Sequence, residues 1–159
     1  MSPLGIVHTA VAVVALVAGA AVLARRKGTR AHRRLGWLYL ASMLALNLSA
    51  LAIYRLFGRF GPFHAAALAS LATLVAGLVP ARRRLPRERW LDRHAFFMAF
   101  SWIGLVAAAA SEVATRVFHA FWTSVVAASA VVLVAGAIAL ARRMPATLAP
   151  FRRARQRQG

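Results

Sequence analysis

The chain has 159 residues, of which 61% are hydrophobic, and it carries 21 lysine and arginine residues against 3 acidic ones. A soluble domain intersperses its charges among its apolar residues, whereas here basic clusters alternate with long apolar runs, which leaves no room for a sizeable soluble domain. Cysteine is absent, which excludes disulfides, thiolate metal sites, iron–sulfur clusters and covalently attached c-type haem.

Five apolar runs follow one another along the chain, and each is long enough to cross ~30 Å of hydrocarbon as a helix. The predicted spans are residues 3–24, 35–57, 61–81, 94–114 and 117–141. We therefore predict an all-α, polytopic membrane bundle over residues 1–141, with the first four helices as the functional core and the fifth packed beside it. Pro145 and Pro150 are predicted to end the last helix, so that residues 142–159 form a basic cytoplasmic tail.

Basic residues are unevenly divided between the two ends of the predicted helices. Eighteen of them follow the first, third and fifth spans, and only Arg55, Arg59 and Arg116 lie toward the opposite side. Short loops rich in Lys and Arg stay in the cytoplasm, so we predict an outer N-terminus and a cytoplasmic C-terminus in a bacterial inner membrane. Anionic lipid headgroups are the expected partner of these charges, and nucleic acid is not.

One histidine falls near the N-terminal end of each predicted helix. The five are His8, His32, His64, His94 and His119. Alternation of the helices places His32 and His94 toward the inner face and the other three toward the outer face. Histidine at an interface is often only solvated, but His8 and His64 lie within their runs, where an ionisable group is costly and commonly functional.

One interpretation of this pattern is a pair of b-type haems. In a four-helix arrangement, helices one and three face each other across the core, as do helices two and four, and two facing imidazoles can hold a haem iron. His8 with His64 would ligate an outer haem, and His32 with His94 an inner one. Gly36, one turn beyond His32, would leave room for the macrocycle. Candidates to neutralise the propionates are Arg33, Arg55, Arg59 and Arg116.

A second interpretation is a mononuclear metal site at the outer face. His8, His64, His119 and Glu112 all lie near outer helix ends, and three imidazoles with a carboxylate suit zinc or iron. Such a site would belong to a membrane hydrolase or a metal-handling protein. Glu112 has a simpler explanation, an ion pair with Arg116 four residues further along the same helix. A third interpretation is a cofactor-free transporter, assembly factor or scaffold.

Three segments carry a family resemblance. They are HTAVAVVALVAGAAVLARRKGTRAHRRLGWLYLASML, FGPFH and LDRHAFFMAFSWIGLVAAAASEVATR. Over roughly residues 5–116 the sequence resembles the bacterial membrane-protein family of unknown function 2306 (DUF2306). The most specific stretch runs from Lys27 through His32 and Gly36 to Met43, and His64 and His94 follow it. The family implies a membrane protein but no particular activity.

The histidine pattern is also similar to the core of the cytochrome b-561 type proteins, which hold two bis-histidine haems in a four-helix bundle. This likeness implies His8 with His64 as one pair and His32 with His94 as the other, and it gives His119 no counterpart. The outer pair is the better match, because His32 lies close to the polar rim. We therefore predict a haem-b-binding membrane protein that carries electrons. The sequence names neither its donor nor its acceptor, and a homo-oligomer is compatible with it.

Overall fold

The protein is described by a computed structural model over residues 2–54, 58–87, 89–118 and 120–156. Its elements are α1 (Pro3–Ala24), α2 (Arg30–Ala52), α3 (Pro62–Arg83), α4 (Trp90–Phe118) and α5 (Phe121–Gln156). No strand occurs within these ranges, and all five helices are long and apolar enough to cross a membrane. The prediction of an all-α protein with five membrane-spanning helices is confirmed.

Some helices extend beyond their apolar runs, because polar residues at their ends continue the helical backbone hydrogen bonds. α2 begins at Arg30 rather than Leu35, because Thr29 is its N-cap and the Thr29 hydroxyl oxygen accepts from the His32 backbone N–H at 3.1 Å. α4 likewise begins at Trp90 and ends at Phe118, four residues outside the predicted span at each end. Hydropathy marks where a helix leaves hydrocarbon, whereas caps decide where it ends.

α5 differs most from expectation, since the prediction that Pro145 and Pro150 end the last helix is wrong and the helix continues to Gln156. Its 36 residues correspond to about 54 Å at 1.5 Å per residue, well beyond the ~30 Å of a bilayer core. Pro145 and Pro150 lie inside the helix. Tertiary contacts stabilise the extension, because Leu148 is buried and Arg152 forms an ion pair with Asp92 of α4 at 2.5 Å.

The chain divides into two compact units, Met1–Leu74 and Val75–Gly159. In the first unit, α1 packs antiparallel against α2, since His8 near the start of α1 contacts Ser49 near the end of α2. Small residues on α1 allow close approach of the helices, as is usual in membranes. The buried residues of these two helices include Ala15, Ala18, Tyr39 and Met43.

In the second unit, α4 packs antiparallel against α5. Ser111 lies at the centre of a polar cluster between the two helices, donating to the Ala107 carbonyl at 2.8 Å and lying 2.9 Å from the Ser129 hydroxyl oxygen. Interhelical hydrogen bonds of this kind fix the register of helices that have no hydrophobic driving force in lipid.

Large apolar side chains cover much of the helix surfaces. Val17 on α1 and Val131 on α5 are 65% and 68% exposed. Water would make such surfaces costly, whereas lipid tails solvate them. The helices therefore have the surface expected of a protein whose solvent is the bilayer.

The connection between α1 and α2 is held by Lys27. Its ammonium group donates to the carbonyl oxygens of Val22, Leu23 and Arg25 at distances of 2.6–3.2 Å. These are carbonyls that the end of α1 leaves without helical donors, and burial lowers the pKa of Lys27. Gly28, with φ of 79°, completes the turn. The tight connection positions His32 in the first turn of α2.

Candidate functional site

His8 is held in one tautomer by a serine on the neighbouring helix. Its Nδ1 lies 2.9 Å from the Ser49 hydroxyl oxygen, and that hydroxyl donates its single proton to the Leu46 carbonyl at 2.9 Å. Both contacts are hydrogen bonds only when His8 donates to the Ser49 oxygen, so the arrangement that satisfies both has the proton on Nδ1. In the neutral ring the lone pair then belongs to Nε2.

His94 is held in the same tautomer by a backbone carbonyl. Its Nδ1 lies 2.9 Å from the Gly77 carbonyl oxygen, which can only accept. Gly77 permits the close contact between α3 and α4, because a Cβ at this position would lie 2.8 Å from the Met98 sulfur. Pro80 lies within the next turn of α3 and, having no N–H, removes one helical hydrogen bond there.

These two bonds give His8 and His94 the form in which imidazole binds a metal through Nε2. Metal-ligating histidines almost always donate their other ring N–H to a carboxylate, a carbonyl or a similar acceptor. One histidine of each predicted pair thus has an oriented ring. Neither Ser49 nor Gly77 was among the residues predicted from the sequence, because their roles depend on which helices pair.

His64 has a different hydrogen-bond arrangement. Its Nδ1 accepts from the Gly61 backbone N–H at 3.1 Å, and its own backbone N–H donates to the Gly61 carbonyl at 3.0 Å. The bond from Gly61 to the His64 ring is the side-chain half of a capping box at the start of α3, since Gly61 has no side chain to return it, and Pro62 is at the favoured first helical position. Nδ1 must keep its lone pair to serve as the cap, so the neutral ring carries its proton on Nε2.

The Nε2 atom of His64 is buried and has no hydrogen-bond partner among the residues that the structure describes. The whole residue is 3% exposed. Two aromatic rings enclose it, with centroids 4.5 Å away for Tyr54 and 5.2 Å away for Phe60. A buried polar atom without a partner costs stability, so this nitrogen is the clearest unsatisfied group near the start of α3.

His32 lies in the first turn of α2 and is half-buried. It belongs to the first unit and His94 to the second, and the pairing of the two as ligands stays a prediction. Gly36, one turn further on, has open space beside it, since a Cβ there would meet no described atom within 4 Å. The role of that space as room for a macrocycle stays a prediction.

The outer cluster is only partly described. Glu112 forms an ion pair with Arg116, and both side chains are exposed, so the simpler explanation of Glu112 is confirmed. His119 and Arg55 lie outside the described residues. Within the described ranges, no group of three histidine or acidic side chains could hold a metal ion. The zinc or iron site of His8, His64, Glu112 and His119 stays a prediction.

The predicted propionate contacts have exposed guanidinium groups where they are described. Arg33 and Arg59 are exposed, and Arg116 is paired with Glu112. Their contact with a cofactor also stays a prediction.

No curated protein and no solved structure matches the chain. The profile of one family, described as "Predicted membrane protein (DUF2306)", matches residues 5–142. This range includes all of α2, α3 and α4, nearly all of α1, the first part of α5 and every histidine of the chain. It extends the resemblance noted over the first four helices. The chain therefore belongs to the DUF2306 family of predicted membrane proteins.

Proposed function

We propose that this membrane protein binds b-type haem through histidines of its first four helices and carries electrons within or across the membrane. The observation that carries the proposal is the pair of donor bonds from His8 to Ser49 and from His94 to Gly77. Each bond leaves a lone pair on Nε2, the atom through which an axial imidazole binds iron. The two histidines come from different predicted pairs, which favours one oriented ligand for each haem.

The remaining residues supply orientation and shielding. Haem provides one-electron redox chemistry when bound, and the chain controls ligand orientation and access of water. Ser49 and Gly77 fix the rings of His8 and His94, while the apolar faces of the helices exclude water from the surrounding space. His8 and His94 are half-buried and lie in the first two turns of α1 and α4, so that a propionate bound there would lie near the basic residues at the helix ends.

His64 requires a change of tautomer before it can serve as the second outer ligand. Losing its capping bond to Gly61 costs about 0.5–2 kcal/mol. Removing the proton from its buried, unpartnered Nε2 relieves a penalty of about 1–3 kcal/mol. The free energy lost with the cap and the free energy gained at Nε2 are of similar size. The net cost of changing the tautomer is therefore small, and it does not prevent His64 from binding iron. The proposal therefore predicts that the cap at Gly61 opens when His64 binds iron.

The proposal is tested with protein purified in detergent from haem-replete cells. We expect a Soret band and a reductive titration with two components. His8→Ala should remove one component, and His94→Ala should remove the other. His119→Ala is the matched control, because the haem interpretation gives His119 no role whereas the metal interpretation makes it a ligand.

Two results would overturn the proposal. One is wild-type protein without a Soret band after haem supplementation. The other is a titration in which His119→Ala has the same effect as His8→Ala. Stoichiometric zinc or iron without haem would favour the mononuclear metal site.

We also propose that the N-terminus is outside and the C-terminus in the cytoplasm, with the protein in a bacterial inner membrane. The support is the uneven distribution of the basic residues. Eighteen follow the first, third and fifth helices and only three lie toward the opposite side, and the side rich in Lys and Arg is normally cytoplasmic. In this orientation His8 and His64 lie toward the outer face, and His32 and His94 toward the inner face, as electron transfer across the membrane requires.

A further inference from the structure

A crevice of about 410 Å³ opens where α3 connects to α4. It is lined by Arg83, Arg84, Leu85, Arg87 and Trp90. Ligand pockets in proteins commonly enclose about 300–1,000 Å³, so the space is large enough for a phosphate-containing headgroup. None of its lining residues takes part in the histidine sites described above.

Two arginines of the crevice, Arg83 and Arg84, are not neutralised by the acidic residues that the structure describes. Asp92 and Glu112 are each held by an arginine outside the crevice. Arg83 and Arg84 belong to neither of the ion pairs in the described ranges. The third acidic residue of the chain, Glu88, lies outside those ranges. Residues 82–93 contain six arginines and two acidic residues. This segment therefore keeps a net positive charge even when Glu88 is ionised and paired with an arginine.

The backbone contributes to the same arrangement. Arg84 has a φ of 52°, a left-handed conformation that is uncommon for a residue with a Cβ. In an extended strand, consecutive side chains point to opposite sides, whereas this turn lets both Arg83 and Arg84 line one crevice. α4 begins at Trp90, so the positive end of its helix dipole adds to the field at the crevice.

The crevice also has an apolar side that a free anion does not need. Leu85 is 55% exposed and Trp90 is half-buried, and Val79 on α3 is exposed one turn before the helix ends. Tryptophan is enriched where hydrocarbon meets headgroups, and arginine clusters beside a membrane span attract anionic lipids. Guanidinium groups bind phosphate oxygens in charge-assisted pairs.

We propose that this crevice is a binding site for the headgroup phosphate of an anionic phospholipid. Arg83 and Arg84 contact the phosphate, while Leu85 and Trp90 lie against the start of the acyl chains. The site does not depend on the proposed haem binding. It would hold one lipid molecule at a defined place, whereas a diffuse layer of headgroups would contact all of the basic residues alike.

The test uses the full chain, delipidated in detergent, and native mass spectrometry with phosphatidylglycerol added. Arg83→Gln with Arg84→Gln removes two charges from the crevice. Arg89→Gln with Arg93→Gln is the matched control, because it removes two exposed charges from the same cationic segment, residues 82–93, without changing the lining. We expect the first double variant to bind phosphatidylglycerol at least about tenfold more weakly, which corresponds to about 1.4 kcal/mol, and the control to change affinity less than about twofold.

Equal weakening in both double variants would overturn the proposal, because it would mean that only the overall charge matters. Wild-type protein is tested in parallel, so that the result does not depend on the variants folding. It should prefer phosphatidylglycerol to phosphatidylcholine and keep the lipid when inorganic phosphate is added at the same concentration. No preference, or displacement by inorganic phosphate, would contradict a phospholipid site.

Discussion

Replacing Ser49 with alanine removes the group that fixes the tautomer of His8. The Ser49 hydroxyl is the only described link between the His8 ring and the Leu46 carbonyl, with both hydrogen bonds at 2.9 Å. Without it, Nδ1 of His8 loses the acceptor that the Ser49 hydroxyl provides, and this contact no longer favours one tautomer over the other. We expect Ser49→Ala to weaken haem binding at the outer site while leaving the fold intact.

The expected size follows from the contacts that are lost. Removing a partner that orients a metal-ligating histidine typically lowers metal affinity about 10–100-fold, which is about 1.4–2.7 kcal/mol. The interhelical bond between α1 and α2 adds about 0.6 kcal/mol to stability on average and up to ~1.7 kcal/mol. Haem affinity should therefore fall about 10–100-fold, and the free energy of unfolding should fall by less than about 2 kcal/mol.

Ser42→Ala is the matched control for this experiment. Ser42 lies on the same helix and is buried to the same degree as Ser49, but its hydroxyl donates within α2, to the Leu38 carbonyl at 2.8 Å. Haem affinity is measured by titration of the apoprotein, and unfolding by a denaturing detergent. In parallel, ¹⁵N NMR of the histidine rings should find the proton of His8 on Nδ1 in wild type and on both nitrogens in Ser49→Ala.

The reasoning is refuted if Ser49→Ala and Ser42→Ala bind haem equally well, or if the NMR spectrum of the wild type places the His8 proton on Nε2. Either result would mean that the contact with Ser49 does not orient a ligand.

Three further predictions concern the helix packing and the orientation. Gly136→Ala should lower the free energy of unfolding by about 1–3 kcal/mol, because its Cβ would overlap the side chain of Ile103. Gly104→Ala is the control, since a Cβ there has no described neighbour within 4 Å, and it should be neutral or stabilising by up to about 1 kcal/mol. A larger loss of stability in Gly104→Ala than in Gly136→Ala would contradict this packing of α4 and α5. Asp92→Asn removes the ion pair with Arg152, in which the Asp92 and Arg152 side chains are 32% and 56% exposed. It should lower the free energy of unfolding by at most about 1 kcal/mol. Unfolding curves at two salt concentrations should show that this loss becomes smaller as salt is added. A reporter enzyme fused after the last residue should be active in the cytoplasm, and activity in the periplasm would reverse the proposed orientation.

Hydropathy was sufficient to predict the helices but not all of their ends. The five spans follow from apolar runs of about 20 residues, and α1 begins and ends as predicted. α5 could not be predicted in full, because Pro145 and Pro150 indicate a helix end by local rules. The burial of Leu148 and the ion pair of Arg152 with Asp92 stabilise the extension, and neither contact is visible in a single sequence.

The candidate site was predicted at the level of the histidines but not of the groups that orient them. The capping bond from Gly61 to His64 could have been recognised, since Gly61, Pro62 and His64 occupy the spacing of a helix start. The roles of Ser49 and Gly77 could not, because each depends on a contact between two helices. The hydrogen-bond partners, rather than the histidines alone, separate the rings of His8 and His94, in which Nδ1 faces an acceptor, from the ring of His64, which caps a helix.

The haem content of the purified wild-type protein tests the central claim most directly. Protein from haem-replete cells is assayed for haem by the pyridine haemochrome method and for protein by quantitative amino-acid analysis, and the haem-to-protein ratio is compared with a reductive titration. Two bis-histidine sites predict a ratio approaching about two haems per chain and a titration with two components. A ratio near zero, with no Soret band after haem is added to the apoprotein, would contradict the assignment of His8, His32, His64 and His94 as haem ligands.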